Sequence, residues 1–190
     1  MTRILGISGS PRRHSNSEIL LDRALEGASR SGAIIEKIVL NELCLKPCQG
    51  CYRCAENGVC VIKDDMRLIY GKLDKADGII IASPIYFGSV TAQLKTMIDR
   101  FESYWVLKYV LKRPAPGNRH RKGVFLCCAG EDKTLFFRNA KDIIRFLFST
   151  LDIEYSGDIF CGSLAEAGEI SKRPDALKKS FGLGTKLAKL

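Results

Sequence analysis

Apolar and polar positions come in blocks along the chain, and the blocks switch between two periods. Residues 3–8 carry Ile4, Leu5 and Ile7 in a short apolar run, the pattern of a buried strand. A polar loop follows at 9–17, and Glu18-Ile19-Leu20-Leu21 then opens a helix running to about Ser31, where Gly32 stops it. Ser15 and Glu18 stand at capping-box spacing, which places the helix start at residues 15–17. Residues 33–40 predict a second strand, dense in Ile34, Ile35, Ile38 and Val39. Behind Asp64 and Asp65, which suit a helix start, Met66, Ile69, Tyr70 and Leu73 return to helical spacing. Residues 77–83 are the most apolar strand, as expected of a central parallel strand covered on both faces. Leu94, Met97, Ile98 and Phe101 stripe a helix from about Thr91. The period is lost over 104–122, which predicts an irregular connection with a loop at 114–118. A strand over 123–128 follows, then a helix carrying Ala140, Ile143, Ile144 and Leu147, and a strand over 153–160. Pro174 opens a last helix with Leu177, Phe181 and Ala188 expected inward.

Five strands alternating with helices, without repeats or low-complexity tracts, predict one α/β domain over residues 1–190 with a parallel sheet. Right-handed crossovers favour the doubly wound order 2-1-3-4-5. Ligands of such sheets bind at the carboxyl ends of strands 1 and 3, where the order reverses. The loops expected there are 9–17, 83–89 and 129–134. The segment after strand 2 is expected to open on the same edge.

Composition narrows the class but not the chemistry. With 190 residues, 46% hydrophobic and 27% charged, the chain buries a core without staples. No run is long and apolar enough for a membrane span, and Met1-Thr2-Arg3 shows no signal region. The expectation is a cytoplasmic protein with no membrane partner, whose eight cysteines are reduced or metal-bound. The net charge of +9 favours anionic partners, yet no nucleic-acid motif accompanies it, so no nucleic-acid partner is expected. Lys108, Lys112, Arg113, Arg119, Arg121 and Lys122 lie in a stretch free of acidic residues, either a docking or phosphate patch or a solvated face. His14 and His120 each stand alone, and no catalytic acid–base residue is assigned.

Two stretches carry candidate chemistry. The turn from the first strand into the first helix aims unpaired N–H groups and the positive dipole end at an anion. Ser10, Ser15, Asn16 and Ser17 add side-chain donors there, and Arg12 adds charge. The turn is neither G-x-G-x-x-G nor a Walker loop, and similar turns occur in α/β proteins that bind nothing. The second stretch is a cysteine-rich loop at 44–63, where Cys48, Cys51, Cys54 and Cys60 follow the spacing C-x2-C-x2-C-x5-C. Two-residue gaps suit thiolates wrapped around a [4Fe–4S] cluster, whereas structural zinc usually takes two separated pairs. Zinc, free thiols and a redox disulfide are the alternatives. Cys44, Cys127, Cys128 and Cys161 lie outside the motif and read as small buried hydrophobes.

Gly6-Ile7-Ser8-Gly9-Ser10-Pro11-Arg12, the cysteine run continuing into Val61-Ile62-Lys63-Asp64-Asp65-Met66, and Ala76-Asp77-Gly78-Ile79-Ile80 resemble the iron–sulfur flavoprotein family. So does Ser83-Pro84-Ile85-Tyr86-Phe87-Gly88-Ser89-Val90-Thr91-Ala92-Gln93-Leu94-Lys95, with Asp99-Arg100 behind it. That family lies within the flavodoxin-like NAD(P)H-dependent FMN reductases. The resemblance is close over residues 3–101 and only one of pattern beyond. Its strand motifs are shared with cluster-free FMN and quinone reductases, and the cysteine spacing alone selects the iron–sulfur branch.

The resemblance implies a flavodoxin-like sheet and FMN with its phosphate on residues 10–17. It implies Pro84, Ile85, Tyr86, Phe87 and Gly88 bordering the isoalloxazine, with Ala129 and Gly130. Cys48, Cys51, Cys54 and Cys60 would hold a [4Fe–4S] cluster. A homodimer or homotetramer is implied, the cluster of one subunit close to the FMN of another. The implied function is an electron-transfer flavoprotein, passing electrons from a low-potential donor such as ferredoxin through the cluster to FMN. A small-molecule acceptor such as oxygen, peroxide or a quinone would follow. Two alternatives stay open. One is an NAD(P)H-dependent FMN or quinone reductase without a functional cluster, its basic stretch taking the nicotinamide cofactor. The other is a cysteine-based metal-binding or redox-sensing module.

Overall fold

The computed structural model describes residues 1–117 and 120–190. Asn118 of the expected loop and Arg119 of the basic stretch lie outside the described residues. Alternating apolar positions sort the strands into two faces. β1 (Arg3–Ser8), β2 (Ile34–Val39), β3 (Gly78–Tyr86), β5 (Arg121–Cys128) and β6 (Ile153–Cys161) form a parallel sheet ordered β2-β1-β3-β5-β6. This is the expected order of the five main strands. A two-residue strand, β4 (Ser89–Val90), adds to it by pairing antiparallel with β3. Leu5, Ile7, Ile79, Ile81 and Phe125 face one side, under α2 (Met66–Lys75), α3 (Ala92–Arg100) and α5 (Thr134–Thr150). Ile4, Ile80, Ala82, Val124 and Leu126 face the other, under α1 (Asn16–Arg30) and α6 (Pro174–Leu187). β2 is an edge strand, and Ile34 and Ile35 are correspondingly exposed.

Ser15 caps α1 as its spacing predicts: its Oγ accepts from the Glu18 N–H at 3.3 Å. The Glu18 carboxylate reaches back one residue further than in the usual box, accepting from the His14 N–H at 2.6 Å.

Four expectations need correction. β3 runs to Tyr86, past the expected end at 83, because Ser83 and Pro84 still pair with Cys127 and Cys128. The stretch 104–122 is helical at its start: α3 is followed by α4 (Glu102–Trp105) and a π-helical turn at Val106–Val110. The wider π turn breaks the 3.6-residue period, and the packed rings of Tyr70, Phe101 and Tyr104 replace an aliphatic stripe. Leu177 and Ala188 pack half-buried against the core as expected, but Phe181 lies under Arg23 and Arg30 instead, and the fully buried face of α6 is Ser180, Gly184 and Leu187. That face is small because the helices touch backbone to backbone. A Cβ on Gly184 would stand 1.7 Å from the Ala24 carbonyl oxygen, and one on Gly27 would stand 2.1 Å from that of Phe181. Lastly, the basic stretch is not one surface. Arg121 is buried and donates to the Leu151 carbonyl, while Lys108 Nζ bonds the Ser149 carbonyl at 2.6 Å and Asp152 Oδ1 at 2.5 Å.

Candidate functional site

The carboxyl ends of β1, β3 and β5 enclose a cleft of about 230 Å³. Ser10, Arg12, Ser15, Asn16 and Ser17 line it from the first turn, Pro84, Ile85 and Tyr86 from the end of β3, and Ala129 and Gly130 from beyond β5. Phe87 and Gly88 do not. They form the turn of the β3–β4 hairpin with φ of 50° and 73°, and Phe87 projects fully into solvent. A bulky side chain in that conformation is strained, so the hairpin pairing Ile85↔Val90 and Tyr86↔Ser89 must hold it there.

The polar residues of the first turn divide into builders and donors. Ser15 Oγ is used as the cap, and Ser10 Oγ accepts from the Arg12 N–H at 3.1 Å. Asn16 is spent on the fold: its Nδ2 donates to the Glu166 carbonyl at 2.8 Å and its Oδ1 accepts from the Ile170 N–H at 3.1 Å. Ser17 also lines the cleft, its hydroxyl 3.3 Å from Ser15 Oγ, and among the described residues the backbone N–H groups of Asn16 and Ser17, at the first turn of α1, have no acceptor. Arg12 is exposed at the mouth. Behind the turn, Glu18 is buried and pairs with Lys37 Nζ at 2.8 Å and Arg13 Nη1 at 3.0 Å. Burial pushes its carboxyl upward, but Lys37, the His14 N–H and Arg13 outweigh that and hold it below the usual carboxylate range. The first turn thus presents N–H donors and the positive charge of Arg12, with the Glu18 carboxylate behind it paired, while the exposed Glu166 lines the opposite side.

Cys128, whose strand was expected to end near the flavin, lines the far wall, and sequence reasoning missed the rest of it, residues 164–167. The Asn16 amide ties that segment to α1, a long-range contact with no periodic signal. Burial and the nearby Cys161 push the Cys128 thiol up, so it is neutral at any ordinary pH.

The cysteine loop leaves β2 at the expected edge, then turns its thiols toward the face covered by α3 and α5. Cys48, Cys51, Cys54 and Cys60 all line one cavity of about 570 Å³, with Ile98, Phe101, Trp105, Ile143 and Leu147 among its walls. This cavity and the cleft share no lining residue. Gly50 and Tyr52 both have left-handed backbones, with φ of 59° and 53°, so the chain curls about Cys51. Gly58 bonds back to the Cys54 carbonyl at 2.7 Å and lies against Leu107 of the π turn, where a Cβ would meet Leu107 Cδ1 at 2.6 Å. Burial pushes the Cys54 thiol up, a backbone hydrogen bond opposes it, and the neighbouring Cys60, Glu102 and Cys48 add to the rise. Among the described residues no three ligating side chains converge at metal-binding distance. The donor chemistry nonetheless fits a cluster, since four thiols of a single loop line one half-open cavity. Outside the motif, Cys127 and Cys128 are buried as expected, but Cys44 is exposed and Cys161 only half-buried.

Both ends of the loop are stapled by acidic residues read only as a helix start. Asp65 Oδ2 accepts from the Cys44 N–H at 2.8 Å, and Asp64 Oδ2 from the Lys46 N–H at 2.8 Å. Arg100, fully buried, meets Asp64 through Nη1 at 2.6 Å and Nη2 at 3.2 Å, and donates through Nη1 to the Lys46 carbonyl at 2.7 Å. Burial pushes the Asp64 carboxyl upward, but Arg100 and the Lys46 and Met66 N–H groups hold it below the usual range.

The family model described as NADPH-dependent FMN reductase matches residues 2–130. The chain belongs to that family. Within the family, an iron–sulfur flavoprotein of Methanocaldococcus jannaschii is 47% identical over 98 residues, 52% of this chain and 51% of the relative. An iron–sulfur flavoprotein of Clostridioides difficile is 27% identical over 171 residues, 88% of this chain and 68% of the relative. The chain spans about half the length of the first curated relatives it matches. Among solved structures, a flavone reductase superposes with a TM-score of 0.74 at 21% identity, over 99% of this chain and 62% of that one. That likeness shows the flavodoxin-like fold. No helix among the described residues is long and apolar enough to cross a membrane.

Proposed function

We propose that this chain is a flavin-dependent oxidoreductase of the electron-transfer type, with FMN in the cleft and a [4Fe–4S] cluster held by Cys48, Cys51, Cys54 and Cys60. The observation that carries this reading is that one chain pairs an anion-ready turn with four thiols lining a single cavity. Bound there, a cluster supplies one-electron transfer and the flavin both one-electron and hydride chemistry. The chain's own residues do the placing. The Ser17 hydroxyl, the Asn16 and Ser17 N–H groups and Arg12 receive the phosphate; Pro84, Ile85 and Tyr86 wall the ring side with Ala129 and Gly130. Cys128, neutral and buried, closes the floor without adding charge.

The donor is read as a reduced low-potential carrier of ferredoxin type and the acceptor as a small molecule such as oxygen, peroxide or a quinone. A homodimer or homotetramer is part of the reading, bringing one subunit's cysteine loop to another's cleft. Its support is that the two cavities share no residue within one chain, and that Tyr52, Trp105 and Phe146 stand exposed around the larger one. A second reading, hydride transfer from NAD(P)H to FMN without a functional cluster, is favoured by the family match over residues 2–130.

Anaerobic purification followed by a visible spectrum with iron, sulfide and flavin analysis tests the first reading. About four iron and four sulfide per chain beside one FMN are expected for a single cubane, with iron lost and FMN kept in C48S, C51S, C54S or C60S. Unchanged iron in all four variants removes the ligand assignment. Rapid NAD(P)H oxidation by iron-free protein favours the second reading.

A further inference from the structure

Arg100 is held in an unusual way. Its side chain is fully buried, and both terminal nitrogens are used: Nη1 by Asp64 and the Lys46 carbonyl, Nη2 by Asp64 and, at 3.5 Å, the Ile62 carbonyl. Lys46 lies before the first cysteine of the motif and Ile62 after the last. One guanidinium therefore pins both ends of the loop.

Its Nε–H is left over. That atom is buried with no hydrogen-bond partner among the described residues, an expensive state for a cation's donor in a low-dielectric interior. Arg100 and Cys60 line the same cavity, close enough for the Cys60 sulfur to act electrostatically on the guanidinium. The planar fork leaves Nε no freedom to turn elsewhere while Nη1 and Nη2 are engaged. An acceptor that gains negative charge at Cys60 would complete the arrangement. A thiol is a weak acceptor, and a metal-bound thiolate is a strong one.

We propose that Arg100 is a positioning residue for the cluster, donating its Nε–H to the Cys60 sulfur while its other nitrogens lock the loop ends. This rests on the cluster reading above. Hydrogen bonds to cluster sulfurs are among the levers that set the reduction potential. The reduced cluster carries one more negative charge, so a donor aimed at Cys60 stabilises it and raises the potential. Lysine in this position keeps the positive charge but lacks the third arm of the fork.

The test is R100K, assayed by iron and sulfide content and by an EPR-monitored redox titration of cluster and flavin. The expected result is full iron, an unchanged flavin midpoint, and about a tenfold lower reduced-to-oxidised ratio of the cluster at fixed potential, about 59 mV for one electron. Full iron with an unmoved cluster midpoint overturns the proposal and leaves the cluster reading intact. No iron in the unaltered protein overturns both. Should R100K fail to fold, protein labelled with nitrogen-15 arginine and carrying R53Q, which removes the exposed arginine of the loop, serves instead. A nitrogen hyperfine coupling to its reduced cluster supports the proposal, and the absence of one overturns it.

Discussion

The cleft at the ends of β1, β3 and β5 and the cavity under residues 44–63 are both candidate cofactor sites, yet the chain builds them from different material. The cleft is made of strand ends and a capped helix start, so its donors are backbone groups fixed by the sheet itself. The cysteine loop has only a 3-10 turn at Arg53–Ala55, and its shape depends on a buried Arg100–Asp64 pair and on residues with left-handed backbones. A site of the first kind fails when helix packing or a cap fails. One of the second kind fails when its staples are cut.

The sharpest way to separate the two is D64A. It strands the buried Arg100 charge and removes the acceptor for the Lys46 N–H. Breaking such a pair costs about 3–5 kcal/mol. Limited proteolysis should open residues 44–63 first, and FMN affinity should change by no more than about twofold, since no cleft group contacts Asp64. On the other side, G184A forces a Cβ onto the Ala24 carbonyl and should lower stability by about 1–3 kcal/mol. Thermal unfolding followed by circular dichroism checks it, and here FMN release should accompany the loss. N16A removes two hydrogen bonds to residues 166–170, about 1–2 kcal/mol in sum. Titrating apoprotein with FMN should show weaker binding, with iron content unchanged.

Acid provides a gentler contrast. The Asp64 carboxyl is held below its unfolded value, so its contribution is present above the unfolded pKa, about 3.9, and is lost as pH falls through the folded one. Trp105, the chain's one tryptophan, lines the cavity and reports on it. Its emission should stay constant from neutral pH down to about 4 and change below that. A change between pH 5 and 7 would assign the loop's stability elsewhere. The smallest effect belongs to R12Q at the cleft mouth: FMN affinity should fall about threefold in dilute buffer and less at high salt.

Much of this layout was legible in the sequence. The apolar blocks and the Ser15–Glu18 spacing located β1, α1 and the anion-ready turn, because those signals are local. The cysteine spacing located the loop for the same reason. What escaped depends on partners far apart in the chain. Asn16 reads as a phosphate donor until residues 166 and 170 are seen to occupy it. Asp64 reads as a helix start until Arg100 arrives from 36 residues away. Phe87 reads as a ring neighbour until hairpin pairing turns it outward. Gly27 and Gly184 carry no hydrophobic signal, yet they let two helices touch.

That last contact has a consequence for how the protein is made. α1 is synthesised well before the α6 face it packs against, which follows some 160 residues later. Until residue 184 has emerged, the helix whose start would hold the phosphate has one flank bare, and a long chain separation of this kind delays closure. Nascent chains arrested before that point should be unable to capture the flavin.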